Sequence, residues 1–169
     1  VKAGQGTMGL EILEDQPDRN VVGVAIGGGG MISGIATAVK NINPEIQVVG
    51  MEPAGASRYT CSREAGQPIK LDEVNTIADG TRTDAAHPQN FRIIEKYVDH
   101  LVTIEDDWIK KAMKAVVANA KIVAEPSSVM GIGAALAGTL PVNREDKVCF
   151  VLSGGNNDLT QLAEILNQS

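Results

Sequence analysis

A run of four consecutive glycines at 27–30, called the glycine loop below, is the feature that most constrains how this chain can fold. The residues before it, VVGVAI, are uncharged and mostly β-branched, and they predict a strand over 21–26 that is buried on both faces. The residues after it carry apolar side chains at helical spacing and predict a helix over 31–42. Because glycine loses more conformational freedom on folding than other residues, we expect this loop to approach a ligand closely with its backbone.

The order strand, glycine loop, helix is typical of an anion site. Backbone N–H groups and the positive end of a helix dipole converge there, so we predict that the loop binds a phosphate group. The alternative is a tight turn between strand and helix, for which one or two glycines would suffice. Met31, Ile32 and Ser33 follow the loop where a nucleoside triphosphate site would have Gly-Lys-Ser/Thr, and this disfavours triphosphate hydrolysis.

The rest of the chain alternates strand patterns with helix patterns. Further strands are predicted at 46–51, 99–103 and 147–152. Helices are predicted at 6–15, 55–66, 88–97, 105–121, 126–138 and 157–167, with an irregular segment over 67–88. This alternation predicts an α/β fold with a parallel twisted sheet, helices on both faces, and ligands at the carboxyl ends of the strands.

Composition excludes several classes of partner. The chain has 169 residues, enough for one domain, and its formal net charge of -6 disfavours nucleic acid. Its two cysteines, Cys61 and Cys149, lack metal-ligand spacing and favour a reducing cytoplasmic setting over a disulfide scaffold. The uncharged stretch 21–39 is interrupted by the glycine loop, so we read it as strand and helix and expect no membrane span.

Two other glycine clusters need an interpretation. Gly4, Gly6 and Gly9 match G-x-G-x-x-G, but no strand precedes them, so we predict a glycine-rich turn before the helix at 6–15 and no dinucleotide site. Ser153 and Asn156 follow the strand at 147–152, in Ser-Gly-Gly-Asn. Their hydroxyl and amide could contact a heterocycle, although capping a helix or closing a turn is the commoner use of such residues.

Six short motifs follow one another along the chain: Gly4-Gln-Gly6-Thr7, the glycine loop with Met31-Ile32-Ser33-Gly34, Glu52-Pro53, Ile77-Ala78-Asp79-Gly80, Glu125-Pro126 and Ser153-Gly-Gly-Asn156. Together and in this order they resemble the carboxyl-terminal half of a fold-type II pyridoxal-phosphate (PLP) enzyme of the threonine/serine dehydratase and serine racemase family. The resemblance covers essentially the entire chain. It implies that residues 1–169 form a single partial PLP-binding domain, the large cofactor-binding domain of such an enzyme with its amino-terminal part missing.

The resemblance also implies a set of cofactor contacts. The backbone of the glycine loop would bind the phosphate of PLP, Gly80 would lie along the cofactor, Glu125 would stand near it, and Ser153 would face the pyridine nitrogen. The full set of implied cofactor-binding residues is Gly27, Gly28, Gly29, Gly30, Met31, Gly80, Glu125, Ser153, Gly154 and Asn156.

The implied activity is that of a threonine/serine ammonia-lyase, which eliminates water from a small amino acid and releases ammonia to give a 2-keto acid. In this family the Schiff-base lysine lies in a Ser-x-Lys-x-Arg-like segment of the amino-terminal half, and none of the nine lysines here has that context. The catalytic residue is therefore unknown in this chain, which we expect to be inactive without an amino-terminal half, supplied as a missing part or a separate chain.

Two alternatives remain open at this stage. The chain could be a truncated domain that binds PLP or another phosphate without turnover, or half of a serine or hydroxyaspartate racemase. Half a sheet would expose apolar strand edges, so we expect a homo-oligomer that covers them.

A cation site is a second point, after the missing lysine segment, at which the sequence departs from the family pattern. Some family members bind a divalent cation at positions that match Glu52, Ala56 and an acidic residue where Arg58 stands here. Because arginine cannot ligate a cation, we expect no metal and predict that Glu52 pairs with Arg58.

Overall fold

The chain alternates helices with strands, as a computed structural model that describes residues 1–167 shows. The strands are β1 (Val21–Ala25), β2 (Gln47–Pro53), β3 (His100–Ile104) and β4 (Val148–Phe150). The helices are α1 (Lys2–Asp15), α2 (Gly30–Ile42), α3 (Arg58–Ala65), α4 (Pro88–Tyr97), α5 (Asp106–Ala115), α6 (Met130–Ala137) and α7 (Leu159–Asn167).

Within residues 1–167 the four strands form one parallel sheet in the order β3-β2-β1-β4. Val21 lies opposite both Gln47 and Val148, and Val49 lies opposite His100, which sets the register of the sheet. All five residues of β1 are buried, as expected for a central parallel strand. The carboxyl ends of all four strands meet at one edge, so the glycine loop leaves β1 between the ends of β2 and β4.

Helices cover both faces of the sheet, which confirms the predicted α/β class. Val22 and Val24 of β1 pack on one face in a core with Ile35 of α2 and Ile94 of α4. Val21 packs on the opposite face in the core that holds Ile109 of α5, Met130 of α6 and Leu162 of α7. Side chains of a strand alternate between its faces, so one short strand contributes to two separate cores.

The glycine-rich turn predicted before the first helix is wrong, because Gly4, Gly6 and Gly9 lie inside α1, which begins at Lys2. A Cβ on Gly9 would stand 3.0 Å from the Cβ of Ala38, and one on Gly34 would stand 2.6 Å from the carbonyl oxygen of Lys2. These glycines therefore let α1 and α2 pack closely.

Several predicted helices break into two pieces. The segment at 55–66 is a 3₁₀ turn, Ala54–Ala56, followed by α3, and the segment at 126–138 is a 3₁₀ turn, Pro126–Val129, followed by α6. The predicted helix at 105–121 continues beyond α5 as a π-helical turn, Val116–Ala120, before Lys121 turns the chain at φ 60°. The strand predicted at 147–152 is shorter, since β4 spans Val148–Phe150. Among residues 1–167, every helix is too short or too polar to span a lipid bilayer.

Candidate functional site

A cavity of about 250 Å³ lies at the carboxyl ends of β1 and β4, and we call it the loop cavity. Four segments that are distant in sequence meet there: the glycine loop, the 3₁₀ turn Asp79–Thr81, the turn Pro126–Val129 with the residue before it, and Ser153 after β4. The lining residues are Ala25, Gly27, Gly28, Gly29, Gly30, Met31, Gly80, Thr81, Glu125, Ser127 and Ser153.

Side chains that do not line the cavity donate hydrogen bonds to carbonyl groups at the glycine loop. Arg58 Nη2 donates to the carbonyl oxygens of Ile26, at 2.8 Å, and Gly27. The carbonyl oxygen of Gly28 accepts from Tyr59 Oη at 2.8 Å and from Asn90 Nδ2 at 2.6 Å.

Because its carbonyl groups are bound in this way, the loop has amide groups that point elsewhere and are available to a ligand. In a trans peptide the N–H points away from the preceding C=O, and no peptide bond in the described residues is cis. The amides of Gly27, Gly28 and Gly29 therefore point away from Arg58 and Tyr59, and within residues 1–167 they donate no hydrogen bond. The first turn of α2 follows, with Gly29 at its N-cap and no capping side chain. The loop and helix thus present free N–H groups and a positive dipole end, which suit a phosphate.

Glycines at the walls of the loop cavity allow its segments to touch. A Cβ on Gly27 would lie 2.9 Å from the carbonyl oxygen of Gly80, and a Cβ on Gly80 would lie 2.9 Å from Ser127 Oγ. Gly29 adopts φ +82°, and a Cβ there would lie 2.5 Å from Tyr59 Oη. By contrast, a Cβ on Gly28 would meet nothing within 4 Å, so this residue faces open space.

Three residues that line the loop cavity carry hydroxyl groups: Thr81, Ser127 and Ser153. Ser127 is 4% exposed, yet its Oγ has no hydrogen-bond partner within the described residues. Ser128 Oγ lies 3.4 Å from Ser153 Oγ and accepts a 2.8 Å hydrogen bond from the amide of Gly154. A buried polar atom without a partner is costly, and Ser127 Oγ is therefore a candidate ligand contact.

Glu125 stands between the loop cavity and a second, adjoining cavity of about 490 Å³, where Asn156 lies. The amide of Asn156 donates to Glu125 Oε2 at 3.3 Å, and a Cβ on Gly154 would stand 2.8 Å from the same carboxyl group. Asp158, and neither Ser153 nor Asn156, caps α7, since its Oδ1 accepts from the amide of Gln161 at 2.9 Å.

The predicted pairing of Glu52 with Arg58 is confirmed. Arg58 Nη1 lies 3.5 Å from Glu52 Oε1, and both side chains are fully buried. Burial raises the pKa of Glu52, although hydrogen bonds from Tyr59 and Thr60 and the charge of Arg58 act in the opposite direction. Burial likewise lowers the pKa of Arg58, against the attraction of Glu52.

The sequence-predicted site residues thus fall into two groups. The glycine loop, Met31, Gly80, Glu125 and Ser153 line one cavity, whereas Gly154 contacts the Glu125 carboxyl group and Asn156 lines the adjoining cavity. Sequence reasoning missed Thr81 and Ser127, each next to a residue that it named. It also missed Tyr59 and Asn90, for which the sequence offers no signal, because they lie 31 and 62 positions from Gly28.

Comparisons with known proteins agree on one family. Residues 1–154 match the family described as pyridoxal-phosphate dependent enzyme. An L-threonine ammonia-lyase of Thermotoga maritima is 39% identical over 168 residues, which are 99% of this chain and 41% of that protein. A serine racemase of Oryza sativa subsp. indica is 39% identical over an alignment of 171 positions, covering 97% of this chain and 49% of that protein.

The solved structures give the same result for the fold. The structure of maize serine racemase superposes with a TM-score of 0.89 at 38% identity and covers 96% of this chain and 50% of that chain. The chain spans less than half the length of the two curated relatives.

Proposed function

Because the chain belongs to the pyridoxal-phosphate dependent enzyme family, we propose that it is the cofactor-binding half of a threonine/serine ammonia-lyase. The main observation behind this proposal is that the glycine loop, whose amides donate no hydrogen bond within residues 1–167, lines one cavity together with three hydroxyl-bearing residues. In this proposal residues 1–169 form one partial cofactor domain, and the substrate is a small hydroxy amino acid.

The residues present fit the cofactor of the family. The amides of Gly27, Gly28 and Gly29 would hold its phosphate, and the unpartnered Ser127 Oγ would donate to it or to the ring. Gly80, Glu125, Ser153 and the neighbouring Met31, Gly154 and Asn156 would surround the ring. When bound, PLP supplies an electron sink that stabilises negative charge at the α-carbon of an amino acid. A hydroxyl partner such as Ser153 would leave the ring nitrogen unprotonated, which suits elimination of a β-hydroxyl group.

The amino-terminal half is the proposed partner. β4 is an edge strand of the sheet, and its three residues are only partly buried. Leu152, just beyond it, is 37% exposed, and Val123, whose carbonyl oxygen packs against Gly155, is 54% exposed. An open parallel edge with apolar side chains favours pairing with another strand, either from that half or from a second copy of this chain.

A binding experiment on the purified chain tests the cofactor site. We expect PLP to bind and inorganic phosphate to compete, whereas pyridoxal, which lacks the phosphate, binds far more weakly. After borohydride reduction the intact mass should be unchanged, because the proposal places the cofactor lysine outside this chain. Equal affinity for PLP and pyridoxal would overturn the assignment of the glycine loop to the phosphate.

A complementation experiment tests the reaction. An amino-terminal half of a relative is added to the PLP-loaded chain, and the same sample is assayed for 2-keto acid from L-threonine and for D-serine from L-serine. Keto acid supports the lyase, whereas D-serine as the main product supports the racemase alternative, which the named serine racemase relatives favour. No product despite a stable complex would favour a non-catalytic PLP-binding domain. Both cysteines are free, which supports a reducing cytoplasmic setting for any of these.

A further inference from the structure

The buried side chain of Arg58 lies among four oxygen atoms, two of which are carbonyl oxygens at the start of the glycine loop. Nη1 donates to the carbonyl oxygen of Ala56 at 2.6 Å and lies 3.5 Å from Glu52 Oε1. Nη2 donates to the carbonyl oxygens of Ile26, at 2.8 Å, and Gly27. Nε has no partner within the described residues. One carboxylate and three backbone carbonyl groups are the kind of oxygen set that also holds a hard divalent cation.

We propose that Arg58 is a built-in cation: its guanidinium occupies the place of a divalent metal ion and holds the glycine loop in its anion-binding shape. Arg58 is thus a positioning residue, since it acts on a ligand only through the loop. The phosphate role of the loop rests on the proposed function, whereas the cation role of Arg58 does not.

The charge balance supports this replacement. Glu52 accepts hydrogen bonds from the amides of Tyr59 and Thr60, at 3.0 and 2.8 Å, and from Thr60 Oγ1 at 2.9 Å, so its carboxylate is fixed at the start of α3. Arg58 neutralises this carboxylate in a fully buried position. Removing one partner of such a pair leaves an uncompensated buried charge, which is strongly destabilising. A divalent metal ion would add two positive charges to a site that is already neutral, so the residues present do not fit such a cation.

Arg58 also determines the direction of the loop amides. Its two bonds to the carbonyl oxygens of Ile26 and Gly27 fix two successive peptide planes. The N–H groups of those planes belong to Gly27 and Gly28, and they point to the opposite side. A planar guanidinium can bind both carbonyl oxygens at once, whereas a lysine ammonium is a point charge on a flexible chain.

The first experiment exchanges the built-in cation for a free one. Arg58→Asp removes the positive charge and adds a carboxylate to the oxygen set. We expect the Tm of this variant to be low in EDTA and to rise in millimolar Ca²⁺, while the Tm of the wild-type chain is the same in both. Arg63→Asp makes the same change on the same helix and should show no Ca²⁺ response. An R58D chain that gains nothing from Ca²⁺, folded or not, overturns the proposal, as does a wild-type chain destabilised by EDTA.

The second experiment tests the coupling to the loop. Arg58→Lys keeps the charge and should keep the fold, but we expect inorganic phosphate and PLP to bind about tenfold more weakly, as one lost charged hydrogen bond implies. Wild-type affinity in R58K would overturn the positioning role. If the wild-type chain binds no phosphate, the proposed function fails, and the Ca²⁺ response of R58D still decides whether Arg58 replaces a cation.

Discussion

The hydroxyl of Tyr59 donates a 2.8 Å hydrogen bond to the carbonyl oxygen of Gly28, and this bond turns the amide of Gly29 away from Tyr59. Asn90 Nδ2 donates to the same oxygen at 2.6 Å, and the backbone amide of His87 donates to Tyr59 Oη at 3.2 Å. The glycine loop is therefore held by the first turn of α4 and the residue before it, as well as by α3. A loop whose carbonyl groups are occupied in advance can present its amides to an anion without first rearranging.

Tyr59→Phe should weaken anion binding without unfolding the chain. Phenylalanine keeps the buried ring but removes the donor to Gly28 and the acceptor for His87, so we expect a loss of about 1 kcal/mol in the free energy of unfolding. PLP affinity should fall only a few-fold, because Asn90 still binds the same carbonyl oxygen. Fluorescence titration with PLP and urea denaturation measure the two effects.

Tyr97→Phe is the matched control, since Tyr97 is partly buried on α4 and lies outside the loop cavity. It should leave PLP affinity at the wild-type value. Equal affinities in Y59F, Y97F and the wild-type chain would show that the bond to Gly28 does not shape the loop.

Alanine substitutions at Gly27 and Gly28 should separate folding from binding. A Cβ on Gly27 would lie 2.9 Å from the carbonyl oxygen of Gly80, so Gly27→Ala should destabilise the fold by about 1–3 kcal/mol. A Cβ on Gly28 meets nothing, so Gly28→Ala should change stability by less than about 0.5 kcal/mol.

The same Gly28→Ala variant should nevertheless bind PLP about tenfold more weakly, equivalent to about 1.4 kcal/mol, because its methyl group crowds the anion against the amides. Thermal denaturation and PLP titration on both variants provide the comparison. A G28A chain with normal stability and normal affinity would argue that the phosphate binds elsewhere.

The sequence predicts the features that depend on neighbouring residues, and it does not predict those that depend on contacts between distant segments. The strand at 21–26, the glycine loop and the helix after it follow from residue types and spacing within one short segment, and their positions in the structure agree to within a residue. The start of α1 does not follow from its own residues, because Gly9 and Gly34 are needed for packing between two helices. The contacts of Arg58 and Tyr59 with the loop span more than thirty residues, and no local pattern records them.

Ser127→Ala should stabilise the chain in the absence of PLP and lower its affinity for PLP. Ser127 Oγ is buried without a partner, so replacing it should raise the free energy of unfolding by up to about 1 kcal/mol. Because we propose that this hydroxyl contacts the cofactor, PLP affinity should fall in the same variant. Titration with PLP measures the affinity, and urea denaturation measures the free energy of unfolding.

Ser62→Ala provides the opposite pattern. Ser62 is also buried, but its Oγ donates to the carbonyl oxygen of Arg58 at 2.6 Å and accepts from the amide of Ile69 at 3.0 Å. Its removal should cost about 1–3 kcal/mol of stability and leave PLP affinity close to wild type. A destabilised S127A chain with unchanged affinity would mean that Ser127 has a structural partner and no role at the ligand.

The free edge of β4 should control self-association of the isolated chain. The amide of Val21 donates to the carbonyl oxygen of Lys147, and the amide of Val151 donates to that of Gly23, so alternate residues of this segment bond to β1. The backbone groups of Val148, between them, therefore point to the free edge. Val148→Pro removes an edge donor and should abolish pairing there while keeping the bonds to β1.

Cys149→Pro removes a donor on the β1 side and should destabilise the sheet, which makes it the matched control for Val148→Pro. Sedimentation velocity should show the wild-type chain self-associating and the V148P chain as a folded monomer. The same V148P change should lower the affinity for an amino-terminal half, because that half and a second copy would compete for one edge. A wild-type chain that stays monomeric at high concentration, or a V148P chain that associates as well as the wild type, would place the contact surface elsewhere on the molecule.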